Sequence, residues 1–376
     1  YVGRSAGRYL DDGYANVAIG KEAGYANSSE GNQSHQSVWI GHQAGYSITD
    51  SINSVMIGYK AGYSITTADE SVLLGYSAGY SLRDGDRNVV IGNEAGYNLK
   101  DTFENTVVGY RALYTMESLG GDGYDYGQSR STAIGAYALY LSEDPGEVYA
   151  GNTAVGHSAG YRGGANIGFA GNVYVGQQAG YWHDAGYSVF VGAGAGVNYM
   201  SGSSVVAIGH NAMRGYATSS AIGNDNVVIG PMAGYNWKSS FNSVVIGHDS
   251  GYHGAGSRDN VLVGNTAGYN MSGSQQYNVY VGSSAGYGKS LGSGITAIGK
   301  SALSNTDWKG LSNVNGDYVG LTAVGYYAGQ NVVQSFSTFV GYEAGRYSAG
   351  SSNNFIGYYA GRGSQTSEPY GNGSGN

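Results

Sequence analysis

The sequence predicts an all-β fold: a parallel β-solenoid of about twenty coils with a modal repeat of about 17 residues. Three observations carry this expectation. A β-branched apolar triplet followed by Gly-x-x-Ala-Gly-Tyr recurs from end to end, as in Val17-Ala18-Ile19-Gly20-Lys21-Glu22-Ala23-Gly24-Tyr25 and Val261-Leu262-Val263-Gly264-Asn265-Thr266-Ala267-Gly268-Tyr269. A motif of fixed period makes each copy one unit that cannot bury its apolar face alone and must stack on its neighbours. Glycine supplies 68 of 376 residues and proline only 3, without a Gly-X-Y register, so collagen is excluded. A solvated, disordered tract would have no reason to keep the regular triplet.

The glycine that ends each triplet sets the frame. From Gly3, Gly20, Gly41 and Gly58 to Gly341 and Gly357 there are twenty such glycines, and nine of the nineteen intervals equal the modal repeat. That length suits a coil of two short strands and two turns. The residue before the glycine is always Ile, Val or Leu, and two positions earlier it is mostly Val or Thr. These two columns share one strand face and are expected to fill the coil interior.

The middle of the triplet then points away from the interior, yet it is never charged. Trp39, Met56, Leu73, Val90, Val107, Tyr174, Phe190, Val228, Val245, Leu262, Tyr280, Phe339 and Phe355 are expected to form an outer apolar ribbon that buries itself against other copies of the chain. Three residues after the glycine stands Ala in nineteen coils and Ser250 in the other, which implies a close approach between coils. The next position is Gly in sixteen coils, where a tight corner needs a positive φ. It is Leu113, Leu139, Met213 or Leu303 in the others, each before a longer interval, and there the corner is expected to relax. Tyr closes the motif in thirteen coils. Tyr25, Tyr46, Tyr63, Tyr80 and Tyr97, and again Tyr235, Tyr252, Tyr269 and Tyr287, should stack as an aromatic ladder that stabilises the coil or offers a track to sugars.

Residues 1–362 read as one solenoid with an internal duplication, a block starting near 16 repeated near 205, and 363–376 as a polar tail. Both blocks end in a lengthened interval holding a Gly-Asp-Tyr-type stretch, Gly121 to Tyr124 and Gly316 to Tyr318. Such matching insertions are the usual binding surface of a solenoid. The chain starts at Tyr1, inside a strand and without a leader, which suggests a processed segment, export, or end-to-end stacking of copies.

Chemistry is sparse. A net charge of −8 without Lys/Arg runs argues against nucleic acid, and no apolar run approaches a membrane span. There is no cysteine. His42, His157, His210 and His248 sit in coils that are not neighbours and cannot converge on one metal. Asp84-Gly85-Asp86 and Asp122-Gly123-Tyr124-Asp125 lack calcium-loop spacing and read as turns. Asn27, Asn32, Asn270 and Asn372 begin sequons. No cofactor site is expected, and an enzyme of the β-helical polysaccharide-lyase kind lacks a clustered acidic or basic site.

Asn53-Ser54-Val55-Met56-Ile57-Gly58 and Asn242-Ser243-Val244-Val245-Ile246-Gly247-His248-Asp249-Ser250 resemble the head repeat of YadA-like trimeric autotransporter adhesins, and Thr338-Phe339-Val340-Gly341-Tyr342-Glu343-Ala344-Gly345 resembles phage tail-fibre repeats. The resemblance implies a left-handed parallel β-roll, trimerisation, and adhesion at a surface. The coil is longer than the one usual in that family, and no coiled-coil stalk or anchor is present. The expected role is a structural subunit of an extracellular fibre, spike or appendage on a cell surface or virion, assembling with itself as a homotrimer or head-to-tail filament. The alternative is an adhesin or tail-fibre receptor binder recognising surface glycans.

Overall fold

The computed structural model describes residues 1–10, 12–26, 33–116, 130–142, 151–163, 171–183, 185–199, 202–215, 223–237, 240–254, 256–271, 275–288, 292–304, 320–332, 336–348 and 350–363. The stretches Gly121 to Tyr124 and Gly316 to Tyr318, the Asp122–Asp125 turn, three of the sequons and nearly all of the tail lie outside these residues. The chain resolves into two compact units, Tyr1–Val191 and Gly192–Asn376.

Every complete triplet forms a three-residue strand, and the described residues contain no helix. In the first unit ten such strands, Val17–Ile19 to Val189–Val191, follow one another; in the second there are nine, Val206–Ile208 to Asn354–Ile356. Within each unit, each pairs in parallel with the next and in strict register, so that Val55, Met56 and Ile57 lie beside Val72, Leu73 and Leu74, and Val227, Val228 and Ile229 beside Val244, Val245 and Ile246. This is the parallel β-solenoid the repeat predicts. The second strand expected in each coil is reduced. It survives as two-residue strands such as Thr115–Met116 beside Leu141–Ser142 and His253–Gly254 beside Asn270–Met271, and as single bridges such as Asp50 to Thr67.

The reason lies in the corners, which use up the rest of the coil. The backbone takes a positive φ at the motif glycine (Gly20, 133°), two residues on (Glu22, 57°), four residues on (Gly24, 58°) and again before the next triplet (Gln36, 54°). At a motif glycine followed by another coil a side chain has no room, whereas Gly357 in the last coil is open on that side. A Cβ on Gly58 would run into the carbonyl of Gly75, and one on Gly75 into that of Gly92, and the same holds in both units. The Ala three residues on is sealed in every described coil but the first and last, with Ser250 equally buried in its place. Ala6 and Ala360, which lack a neighbour on one side, are half-buried.

Two expectations about the coil are overturned. The middle residue of the triplet points into the interior, and its two neighbours point out. Met56, Ala133, Val245 and Ala297 are 0% exposed, whereas Ile57, Ile134, Ile246 and Ile298 just beside them are 37–39% exposed. Trp39, Leu73, Val90, Val107, Phe190, Val228, Leu262, Tyr280 and Phe339 are likewise fully buried, Tyr174 nearly so, and Phe355 is half-buried in the last strand. They are core, not ribbon. The wall opposite them is a second apolar column seven residues after the motif glycine, including Ile48, Ile65, Leu82, Leu99 and Trp237. With that wall in place, the narrow interior takes one side chain per strand.

The second correction concerns the Leu and Met corners. Leu113, Leu139, Met213 and Leu303 keep the positive φ, at 49–52°, so the corner does not relax. Their side chains are buried. At Gly corners a Cβ would strike the large middle residue, Trp39 at Gly45 and Tyr280 at Gly286. Leu139, Met213 and Leu303 stand instead in coils whose middle residue is Ala133, Ala207 or Ala297. Burying such a side chain gains about 1.5–3 kcal/mol, against roughly 1–2 kcal/mol for the left-handed backbone. Packing wins.

The core is closed by a polar column just before the triplet. The backbone N–H of Ser54 donates to Ser37 Oγ, that of Ser71 to Ser54 Oγ, that of Asn88 to Ser71 Oγ, and that of Asn105 to Asn88 Oδ1, at 3.1–3.2 Å. Asn226, Ser243, Asn260 and Asn278 continue the same device in the second unit. A buried donor left unpaired costs about 1–3 kcal/mol, and a Ser or Asn in this column meets that need for the next rung; Val205, Ile295 and Leu321 interrupt the column in the second unit.

Candidate assembly face and tyrosine ladders

The outward residues of the triplets form the assembly candidate. In the first unit they run in two columns, from Val17, Val38, Val55, Val72 and Val89 to Val189, and from Ile19, Ile40, Ile57, Leu74 and Ile91 to Val191. Thr106, Thr132 and Thr153 interrupt the first column. Parallel in-register pairing sets these side chains on a regular grid, about 4.8 Å between rungs. Ten rungs of three residues at about 3.3 Å each make a strip of roughly 480 Å². That alone lies in the upper half of the ~300–600 Å² that marks the largest apolar patch of a typical soluble monomer. The second unit carries a strip of nine rungs, with Thr296, Thr322, Thr338 and Asn354 at its later end.

The strip has unlike borders. On one side, directly after the motif glycine, aromatic rings stack from rung to rung: His42 on Tyr59 at 5.3 Å and Tyr59 on Tyr76 at 5.2 Å, and later Tyr326, Tyr342 and Tyr358 at 5.1 and 5.3 Å. His157, His210 and His248 of the same column are exposed. On the other side, ahead of the triplets, Glu104 joins Arg87 and Arg130 at 3.1 and 3.0 Å, and these neighbours hold its carboxyl below the usual range.

The tyrosine ladder is present and longer than the two runs noted in the sequence. Tyr25, Tyr46, Tyr63, Tyr80, Tyr97, Tyr114, Tyr140, Tyr161 and Tyr181 form one stack in the first unit. Consecutive centroids lie 4.7–5.3 Å apart and the rings are within 21° of parallel. Tyr9 meets the first ring edge-on, and Arg8 lies over Tyr9. Lys60 reaches the Tyr63 ring and Arg111 the Tyr114 ring, with Arg111 also paired to Glu94. In the second unit Tyr235, Tyr252, Tyr269 and Tyr287 stack at 4.9–5.2 Å. Burial, reinforced by neighbouring rings and carboxylates, raises the hydroxyls of Tyr97, Tyr114 and Tyr269 above the ordinary tyrosine range. These three hydroxyls keep their protons at physiological pH.

This geometry bears on the sugar-track idea. A sugar packs on the flat face of an aromatic ring, and here both faces of each inner ring are covered by the rings above and below. The ladder shows edges only. As for the aspartates of the Asp84-Gly85-Asp86 turn, Asp84 accepts from the hydroxyls of Thr66 and Thr67, and Asp86 accepts the backbone N–H of Asp69. Among the described residues no three His, Cys, Asp or Glu side chains gather where they could hold a metal ion. No helix among them is long and apolar enough to cross a membrane.

The signal for the outward strip is in the sequence, in the tolerance of its first column for threonine beside valine. The signal for the interior is the range of sizes in the middle column, from Ala18 to Trp39. No family model and no curated protein matches this chain.

Proposed function

We propose that this chain is a structural subunit of an extracellular fibre, spike or surface appendage, and that copies associate through the outward Val/Thr and Ile/Val strip. The observation that supports this is the strip itself: flat, regular, without a charged side chain among its outward residues, and open along one face of each unit. A strand apolar on both faces is ordinarily covered on both. The likeness of Asn53–Gly58 and Asn242–Ser250 to YadA-like head repeats agrees with association of this kind and with a place at a cell or virion surface. The work done is mechanical rather than catalytic.

The test sets one double substitution against one single substitution. Val72→Asp with Leu74→Asp puts charge on the strip while leaving Leu73 in the core, and should yield folded monomers by light scattering and circular dichroism. A mass unchanged from the parent assembly, or a parent chain that is monomeric, overturns the reading. Leu73→Asp instead attacks the core and should abolish folding.

A second reading, receptor binding, rests on the cluster around Tyr326, Tyr342 and Tyr358, where Arg346 lies over Tyr327 and Arg362 over Tyr359. Exposed tyrosine with arginine is the composition of binding hot spots. Retention of the chain on a glycan array, lost on Tyr358→Ala with Tyr359→Ala, would favour it.

A further inference from the structure

We infer that the nine-ring ladder of the first unit is a site of oxidative tyrosine cross-linking, in which a peroxide acting through a one-electron oxidant of the haem-peroxidase class joins tyrosines of adjacent coils. The chain has 37 tyrosines and no cysteine, so the covalent ties that disulfides give a secreted fold are closed to it. The ladder supplies what radical coupling needs. Near-parallel rings repeat with centroids 4.7–5.3 Å apart, so each inner ring has a stacked partner on the rung above and on the rung below. Bond formation between two phenoxyl rings begins with their carbons approaching across the stacked faces, which is how these rings already lie. All nine rings are half-buried, within reach of an oxidant at the surface yet held by the coil. Of the competing groups, Trp39, Trp237, Met56, Met213 and Met271 are buried, while Met232 and Trp182, which packs against Tyr181 at the end of the ladder, are half-buried.

The step balances. Each of two tyrosines gives up one electron and its phenolic proton to become a neutral phenoxyl radical. The two radicals join through a carbon–carbon bond ortho to the oxygens. The two ring protons at those carbons move to the oxygens, restoring both phenols. The two electrons and two protons released reduce one hydrogen peroxide to two waters. Rapid exchange of the radical between stacked neighbours brings two such centres together. Simple pairs that use each ring once number at most four among nine rings.

The experiment uses the full chain at high dilution with a haem peroxidase and hydrogen peroxide, followed by proteolysis and tandem mass spectrometry of dityrosine-linked peptides. Links are expected between consecutive ladder positions, such as Tyr46–Tyr63, Tyr63–Tyr80 and Tyr80–Tyr97, within one chain. They should fall at least tenfold when the reaction is run in denaturant. In Tyr63→Phe, which keeps a ring in the stack, the two links involving position 63 should vanish and Tyr80–Tyr97 persist. The proposal is overturned by an absence of dityrosine. It is equally overturned if the off-ladder Tyr187 and Tyr277 are linked as often as ladder positions, or if all links join different chains. Intrachain links do not depend on self-association, so this outcome is separate from that of the strip substitutions.

Discussion

The first unit carries a ladder of nine tyrosines, the second a ladder of four. In the second unit the same coil position is held by Val197 and Arg214 before Tyr235, and by Ser304 and Gln330 after Tyr287. The triplets of those coils still pair in register, Val206–Ile208 beside Val227–Ile229 and Thr296–Ile298 beside Thr322–Val324. The ladder is therefore not what makes the coil. The invariant parts are the motif glycine and the Ala or Ser three residues on, and both units keep them without exception. Scaffold and ornament can be told apart inside one chain.

Substitutions can break this comparison or sharpen it. The largest effect is expected at the scaffold. Gly58→Ala in the first unit and Gly247→Ala in the second should be equally severe, since each Cβ would meet the next glycine's carbonyl at a φ of 143° or 133°. Loss of cooperative urea unfolding is the expected outcome for both, and a tolerant second unit would show that its glycine column is not structural.

Next come the large corner residues. Leu139→Gly and Leu303→Gly should cost about 2–4 kcal/mol by denaturant unfolding, the cavity outweighing the relief of the left-handed backbone. Ala297→Leu added to Leu303→Gly should recover part of the loss, because corner and triplet centre share one volume. Additive effects in the double-mutant cycle would refute that sharing.

The ornament should matter less. Tyr63→Ala removes two ring pairs and is expected to cost about 1–3 kcal/mol. Arg214→Tyr, extending the shorter ladder to meet Tyr235, should stabilise the second unit by up to about 1 kcal/mol. An effect of Tyr63→Ala as large as that of Gly58→Ala would erase the distinction drawn here.

The smallest effect is electrostatic. The hydroxyls of Tyr97, Tyr114 and Tyr269 hold their protons to higher pH than an unfolded tyrosine does. Above about pH 10 the folded chain then binds more protons than the unfolded one, so stability falls as pH rises past that value and is unaffected by these groups below it. Urea midpoints should be flat from about pH 8 to 9.5 and decline at about pH 11. Tyr97→Phe and Tyr114→Phe should each flatten the decline.

Period, parallel stacking, the sealed alanine and the ladder were legible because each is a single column with one demand. Which face of the triplet lies inside was not, because three consecutive apolar residues satisfy the two-residue strand period in either sense. The deciding evidence was spread over distant columns. The residues seven after the motif glycine, Ile48, Ile65, Leu82 and Leu99, supply the facing wall that makes a one-residue interior sufficient. The pairing of Leu139 with Ala133 and of Leu303 with Ala297 shows which position shares volume with the corner. The Ser and Asn column was visible only as part of a resemblance, since its role depends on a backbone N–H one rung away.

The motif glycine has one more consequence. Its empty side receives the carbonyl of the next motif glycine, so a rung followed by another carries both socket and plug. Duplicating or deleting one whole repeat of the gene then joins a socket to the same plug as before. The number of rungs is a quantity that evolution can dial without redesigning this glycine contact.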